Sequence, residues 1–274
     1  MKVLQNLHTH TEFCDGENTC REQVERAIEL GFKSIGFSAH GYTPFTLEYC
    51  LKEPITLDYI NEVNRLKEEY KGRIEVYLGI EYDLYSQGSL APYDYVIGSV
   101  HYVKTEKGEY FPIDFKSEQT LKRCVDKLFD GDANKLAKRY FELVESLPDR
   151  LERIDVVGHF DLITKSNDFA KIIDTESEEY RRYALKAIEK LVKKVGVFEI
   201  NTGAMSKGVK LSPYPDRWML SKINRLGGKV IITSDCHKRE NLNFAFDECV
   251  ALAKECGFKE IYYFNGKEFV SNEI

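Results

Sequence analysis

Tyr95-Val96-Ile97-Gly98-Ser99-Val100-His101 and Asp155-Val156-Val157-Gly158-His159 are short apolar runs that each end in an imidazole. Their β-branched, unalternating character reads as parallel strand covered on both faces. The pattern recurs in Phe37-Ser38-Ala39-His40 and in Ile231-Ile232-Thr233-Ser234-Asp235-Cys236-His237. Tyr77-Leu78-Gly79-Ile80-Glu81-Tyr82-Asp83 is a further case, ending in carboxylates. His8-Thr9-His10 closes another such run near the N-terminus, and with it all six histidines are accounted for.

Working outward, strand-like runs fall at 3–10, 34–40, 74–83, 95–103, 154–161, 197–202, 229–235 and 260–264. Amphipathic helices are predicted near 20–30, 56–70, 117–147, 176–195, 213–226 and 240–256. Gly31, Gly196, Gly227-Gly228 and Gly257 stand where helices should end before strands. Such alternation implies an α/β fold with parallel strands wrapped by helices. Strand C-terminal ends are where α/β barrels carry their active sites, and ligands on most strands converge only if the sheet closes. The expectation is therefore one domain over residues 1–274, a distorted TIM-like barrel of about seven strands, (β/α)7. A Rossmann-like open sheet would spread the strand ends too far apart. Residues 104–150 form the main insertion, a loop plus two helices.

Two residues apart on a strand, His8 and His10 point to one face and can reach one ion. Asp15-Gly16 gives a turn able to return a carboxylate to the same mouth. Glu81 in an apolar strand needs a cation or strong hydrogen bonds, because an unpaired buried carboxylate costs several kcal/mol. Asp83 shares its strand face and belongs beside the site or in solvent. Any single histidine here reads as a satisfied core residue; so many at strand ends read as a metal site. The candidate ligands are His8, His10, Asp15, His40, Glu81, His101, His159, Asp235 and His237. One four-coordinate ion cannot use nine ligands, whereas two or three divalent ions sharing a bridging carboxylate can. The nitrogen-rich set favours zinc, iron or manganese over magnesium or calcium. Cys14 and Cys236 adjoin proposed ligands, but alternation turns Cys236 away and both read as core residues.

The series His-x-His at 8–10, Asp15-Gly16, Ala39-His40-Gly41, Gly79-Ile80-Glu81, Gly98-Ser99-Val100-His101, Gly158-His159-Phe160-Asp161 and Ser234-Asp235-x-His237 resembles the polymerase-and-histidinol-phosphatase (PHP) superfamily. The resemblance runs from residue 8 to 237 and implies a distorted seven-stranded barrel with a trinuclear site. It implies His8, His10, Glu81 and Asp235 on one ion, Glu81 (bridging), His101 and His159 on a second, and Asp15, His40 and His237 on a third. Some relatives have histidine in place of Asp15.

Within that superfamily, chain length and the segment Glu199-Ile200-Asn201-Thr202-Gly203-Ala204-Met205-Ser206-Lys207-Gly208, followed by Ser212-Pro213-Tyr214-Pro215, are most similar to the histidinol-phosphate phosphatases. The segment reads as a strand entering a glycine-rich loop whose amides and Ser206, with Lys207, approach a phosphate. Relatives generally carry arginine at two phosphate-contacting places, where this chain has Lys165 and Lys207, and lysine lacks the bidentate fork. Arg217 is a further candidate, with a helix surface as its plainer reading. The resemblance implies hydrolysis of L-histidinol phosphate, in histidine biosynthesis, through in-line attack by a metal-bridging hydroxide. Glu81, Asp235 and His237 are the candidate catalytic groups, with Asp235 or His237 assisting the leaving oxygen.

A phosphoesterase acting on nucleoside monophosphates or short oligonucleotides would share these ligands. It would want a basic or aromatic groove, for which Tyr42, Tyr82, Tyr85 and Tyr102 are candidates, although each reads individually as core. A net charge of -6 weighs against nucleic acid as partner. A small-molecule phosphate monoester is the expected partner, and the oligomeric state stays open. No apolar run approaches the ~20 residues of a membrane span. The N-terminus has no signal-peptide pattern, and seven cysteines lack any Cys-x-x-Cys pair. The expected location is cytoplasmic.

Overall fold

A computed structural model of the chain describes residues 2–46, 49–105, 108–114 and 117–274. Its strands are β1 (Gln5–Asn6), β2 (Ser34–Phe37), β3 (Glu75–Asp83), β4 (Tyr95–Ser99), β5 (Tyr102–Lys104), β6 (Tyr110–Pro112), β7 (Val156–Val157), β8 (Val197–Asn201), β9 (Lys229–Thr233), β10 (Glu260–Phe264) and β11 (Phe269–Glu273). Seven of these form one sheet in the order β1-β2-β3-β4-β7-β8-β9, with every pairing parallel. The first and last strands meet at the mouth. There the Cys236 amide donates to the His8 carbonyl (3.0 Å) and the His10 amide to the Cys236 carbonyl (2.8 Å). Below them the Asn6 side-chain amide donates to the Ser234 hydroxyl at 2.7 Å. The sheet is thus a nearly closed seven-stranded barrel, as the strand-end histidines require.

Helices start where the sequence caps them. Thr19 and Glu22 form a reciprocal capping box at Cys20–Glu29, and Ser177 caps Glu178–Lys194. The region expected as helix at 117–147 divides into Glu118–Leu128 and Ala133–Arg150, because Asp130 and Gly131 turn left-handed and Asp132 caps anew. These are the two helices expected in the insertion. The β5–β6 hairpin precedes them, and residues 106, 107, 115 and 116 of that insertion lie outside the described residues.

Inside the barrel, Leu7, Tyr77, Tyr95, Ile97, Val156, Val197 and Ile231 pack around Phe264. Phe264 belongs to the antiparallel β10–β11 hairpin, so the run at 260–264 is no barrel strand but a plug across the base. Gln5 fixes it through its side chain, donating to the Phe264 carbonyl and accepting from the Phe264 amide, both at 2.8 Å. Tyr95 crosses the interior and donates to the carbonyls of Leu7 and Phe37. Gly79 makes room for it, since a Cβ there would lie 2.2 Å from the Tyr95 ring.

Several strands are shorter than the sequence suggests, for one shared reason. Side chains take the amides that a ladder would use. Asn6 accepts from the His8 amide (3.0 Å), Ser38 from Thr9 (3.0 Å), Asp83 from His101 (2.7 Å) and Glu199 from His159 (2.6 Å). β1, β4 and β7 therefore end two residues before His8, His101 and His159, whose backbone amides are held by these side chains rather than by the ladder.

Candidate metal centre

Glu81 lies two residues before the end of β3 with its side chain 1% exposed, at the centre of five imidazoles. Its Oε1 lies 2.7 Å from His159 Nε2 and 3.1 Å from His101 Nε2, and accepts from the Ser99 hydroxyl at 2.8 Å. Its Oε2 lies 2.9 Å from His40 Nδ1, 3.2 Å from His8 Nε2 and 3.6 Å from His10 Nε2. Asp235 Oδ1 faces His10 at 3.2 Å, His237 at 3.4 Å and His8 at 3.8 Å. Asp15 is 3.2 Å from His237, 3.5 Å from His10 and 3.6 Å from His40. All nine candidate ligands converge on one mouth.

The nitrogen and oxygen atoms fit divalent ions. His8 Nε2, His10 Nε2 and Glu81 Oε2 are buried and take part in no hydrogen bond, a costly state that coordination would relieve. Ligand atoms fall within 4.8 Å of one another in three groups: His10, Asp15, His40 and His237; His8, His10 and Glu81; His40, Glu81 and His101. Two of these share Glu81, as a bridging carboxylate requires. His40 reaches both Asp15 and Glu81, so the sets overlap more than the division implied by the resemblance.

Carboxylates and imidazoles shift one another strongly here: against the downward pull of burial, Glu81 and its neighbouring carboxylates raise His40 and His101, and Glu199 with Glu81 and Asp235 raises His8. Burial pushes the Glu81 carboxyl up, but the imidazoles of His8, His101 and His40 outweigh it and hold the group well below its ordinary range. Burial, with His237 and His40 beside it, drives His10 down to about 3, leaving the neutral ring that binds metal.

Two backbone features shape the mouth. Asp235 lies at φ 46°, in the left-handed region, just past the end of β9 at Thr233. The strand expected over 229–235 thus stops short of Asp235, and a turn places Asp235 and His237. Gly203 permits this approach, since a Cβ there would sit 2.6 Å from Asp235 Cβ. Cys236 faces away, as expected, donating to the Lys238 carbonyl at 2.9 Å, and all seven cysteines are free.

Lys165 and Lys207 line the cleft above the ligands. Lys165 is paired with Asp114. Burial pushes the Asp114 carboxyl up, and Lys165 more than offsets this, holding it below its usual range. The other two phosphate candidates lie elsewhere. The Ser206 hydroxyl donates to the Gly203 carbonyl (2.9 Å), and Arg217 pairs with Glu255 (2.7 Å) on the surface, 62% exposed. The glycine-rich loop also differs from expectation. Gly203–Ser206 is a helical turn, and the amides of Gly203, Ser206, Lys207 and Gly208 donate within the segment rather than toward the cleft.

Two residues went unread in the sequence. Asp114 is one; nothing in its loop marks it. Glu199 is the other, and it carries the signal that marked Glu81, a lone carboxylate in an apolar strand. Fully buried, it contacts His8 Nδ1 (2.9 Å) and accepts from Asn201 (2.8 Å), Thr233 (2.8 Å) and the His159 amide. It fixes the orientation of two candidate ligands. Asp83 does the same for His101.

Residues 6–203 match the family model described as the PHP domain. The histidinol-phosphatase of Bacillus subtilis is 28% identical over 88% of this chain and 96% of its own length. That of Lactococcus lactis is 26% identical over 100% of this chain and 98% of its own. Among solved structures, the histidinol phosphate phosphatase of Lactococcus lactis, complexed with zinc, L-histidinol and phosphate, superposes with a TM-score of 0.70. It shares 22% identity and covers 98% of this chain and all of that one. A putative histidinol phosphatase from Listeria monocytogenes gives a TM-score of 0.77 at 22% identity, over 89% of this chain and 99% of that one.

Proposed function

Because the chain belongs to the PHP domain family, we propose that this metal-dependent phosphoesterase hydrolyses L-histidinol phosphate to L-histidinol and inorganic phosphate. The observation that carries the reading is the joining, in one cleft, of the Glu81-centred ligand cluster with Lys165, Lys207 and Asp114. The curated relatives named above, similar over nearly their whole length, support the choice of substrate.

Divalent ions held by the nine ligands would polarise the phosphoryl oxygens and lower the pKa of a bound water. The chain's own groups do the rest. Glu81 would supply a carboxylate shared between ions, and Glu199 and Asp83 keep His8 and His101 aimed. Lys165 and Lys207 hold the phosphoryl oxygens as point charges. Asp235 and His237, at the mouth, hold or release the proton needed at the leaving oxygen.

The Lys165–Asp114 pair favours histidinol phosphate over nucleotides. Such a substrate carries a phosphate and an ammonium group. The phosphate takes Lys165, and the ammonium takes the carboxylate thereby released. AMP offers no second cation. Asp114→Asn should therefore raise KM for histidinol phosphate about 10-fold or more, the loss of one charge-assisted hydrogen bond, whereas KM for p-nitrophenyl phosphate should not rise and should fall if the freed Lys165 binds phosphate better. The parent experiment is phosphate release by zinc- or manganese-loaded enzyme from L-histidinol phosphate against AMP. A large excess in kcat/KM for histidinol phosphate supports the reading. Equal or faster AMP turnover would overturn the substrate while leaving the metal chemistry.

A further inference from the structure

Three of the most deeply buried tyrosines find hydrogen-bond partners. The Tyr59 hydroxyl donates to the Gly79 carbonyl at 2.8 Å, that of Tyr95 to Phe37 and that of Tyr140 to Phe160, both at 3.0 Å. Tyr214 does not. It is 1% exposed and its hydroxyl has no hydrogen-bond partner. Tyr85, Tyr102 and Tyr180 also lack one, but of these four only Tyr214 lines the metal cleft, beside Lys165, Lys207 and His159.

The side chain is held as a fixed group. Its backbone makes two hydrogen bonds with Asn201 at the end of β8, at 2.8 and 2.9 Å. Its ring stands edge-on to the His159 imidazole, centroids 6.2 Å apart. Asp114 and Asp235 are its charged neighbours in the cleft, yet neither bonds it.

We infer that the Tyr214 hydroxyl is a further substrate-binding group, donating a hydrogen bond to an oxygen of the bound phosphoryl group. A phenylalanine would fill the same space without burying an unbonded hydroxyl, which is destabilising in itself. A phosphoryl dianion brought close to Asp114 and Asp235 needs donors, and a phenol supplies one without adding charge. A phenol keeps its proton at neutral pH and so has one to donate. The inference rests on the phosphomonoesterase reading above for its ligand, and inorganic phosphate serves as the probe.

The test is Tyr214→Phe in the zinc-loaded enzyme, read by the inhibition constant of inorganic phosphate, by zinc content, and by Tm without phosphate. The expected result is phosphate binding weakened about 10- to 100-fold, zinc content unchanged, and Tm equal to or above that of the parent. Phosphate binding equal to the parent overturns the inference, as does a fall in Tm, which would mean that the hydroxyl is bonded within the protein. A parent enzyme that turns over AMP better than histidinol phosphate, but still loses phosphate affinity on Tyr214→Phe, overturns only the substrate reading. A parent that binds no phosphate overturns both.

Discussion

At the scale of single residues, Glu81 and Glu199 do different work although both are buried carboxylates among imidazoles. Glu81 presents an unbonded oxygen to the cleft, whereas the Glu199 oxygens are occupied by protein donors. Glu199→Gln should therefore leave the fold intact and weaken metal binding about 10- to 100-fold, read by chelator competition. Unchanged affinity would remove Glu199 from any role in the centre. Asp161 is a third buried carboxylate, outside the ligand cluster. Burial raises its pKa from 3.8 to about 6, against the opposing pull of Lys210 and with the help of Asp216. A raised carboxyl weakens the fold as pH climbs from about 4 through about 6, and the full penalty is present above that. Asp161→Asn keeps an acceptor for the Asp216 amide and lacks the penalty. Its stability advantage in urea melts should grow by ~2–3 kcal/mol between pH 4 and pH 7.5. An advantage independent of pH would contradict this.

At the scale of elements, the barrel strands depend on what lies beneath them. Phe264 reaches the barrel interior from a hairpin that pairs with no barrel strand. Phe264→Ala should cost about 3–5 kcal/mol, seen as a lower urea midpoint, and leave the distant mouth able to bind zinc. The same elements show how far the sequence could be read. Apolar runs ending in histidine marked the strands and the convergence of the nine ligands, because burial on both faces and ligand chemistry each leave local patterns. The strand ends were less legible, because Ser38, Asp83 and Glu199 reach their amide partners across the fold. The hairpin escaped for a related reason: β10 has the composition of a barrel strand, and only its partner β11 reveals its role. Asp114 and the left-handed turn at Asp235 depend on neighbours 51 and 32 residues away, Lys165 and Gly203, which no local window contains.

At the scale of the whole molecule, the candidate metal centre spans the closed barrel. The candidate ligands come from β3 and from segments following β1, β2, β4, β7 and β9, so ions bound there would favour the closed sheet over any opened form. Stripping metal with a chelator should abolish phosphate release and lower Tm by several degrees, with both restored by zinc or manganese. Ions at 100 times their Kd contribute ~2.7 kcal/mol to the fold. A Tm indifferent to chelation would separate the ions from the fold. The closure at the mouth has a further consequence in time. His8 and His10 are made early in synthesis, but the Cys236 backbone that locks them, and His237 beside it, come only after more than two hundred further residues. A growing polypeptide on the ribosome therefore lacks Asp235, His237 and the backbone that locks His8 and His10 until its last barrel strand has emerged, and completes its candidate cage only then.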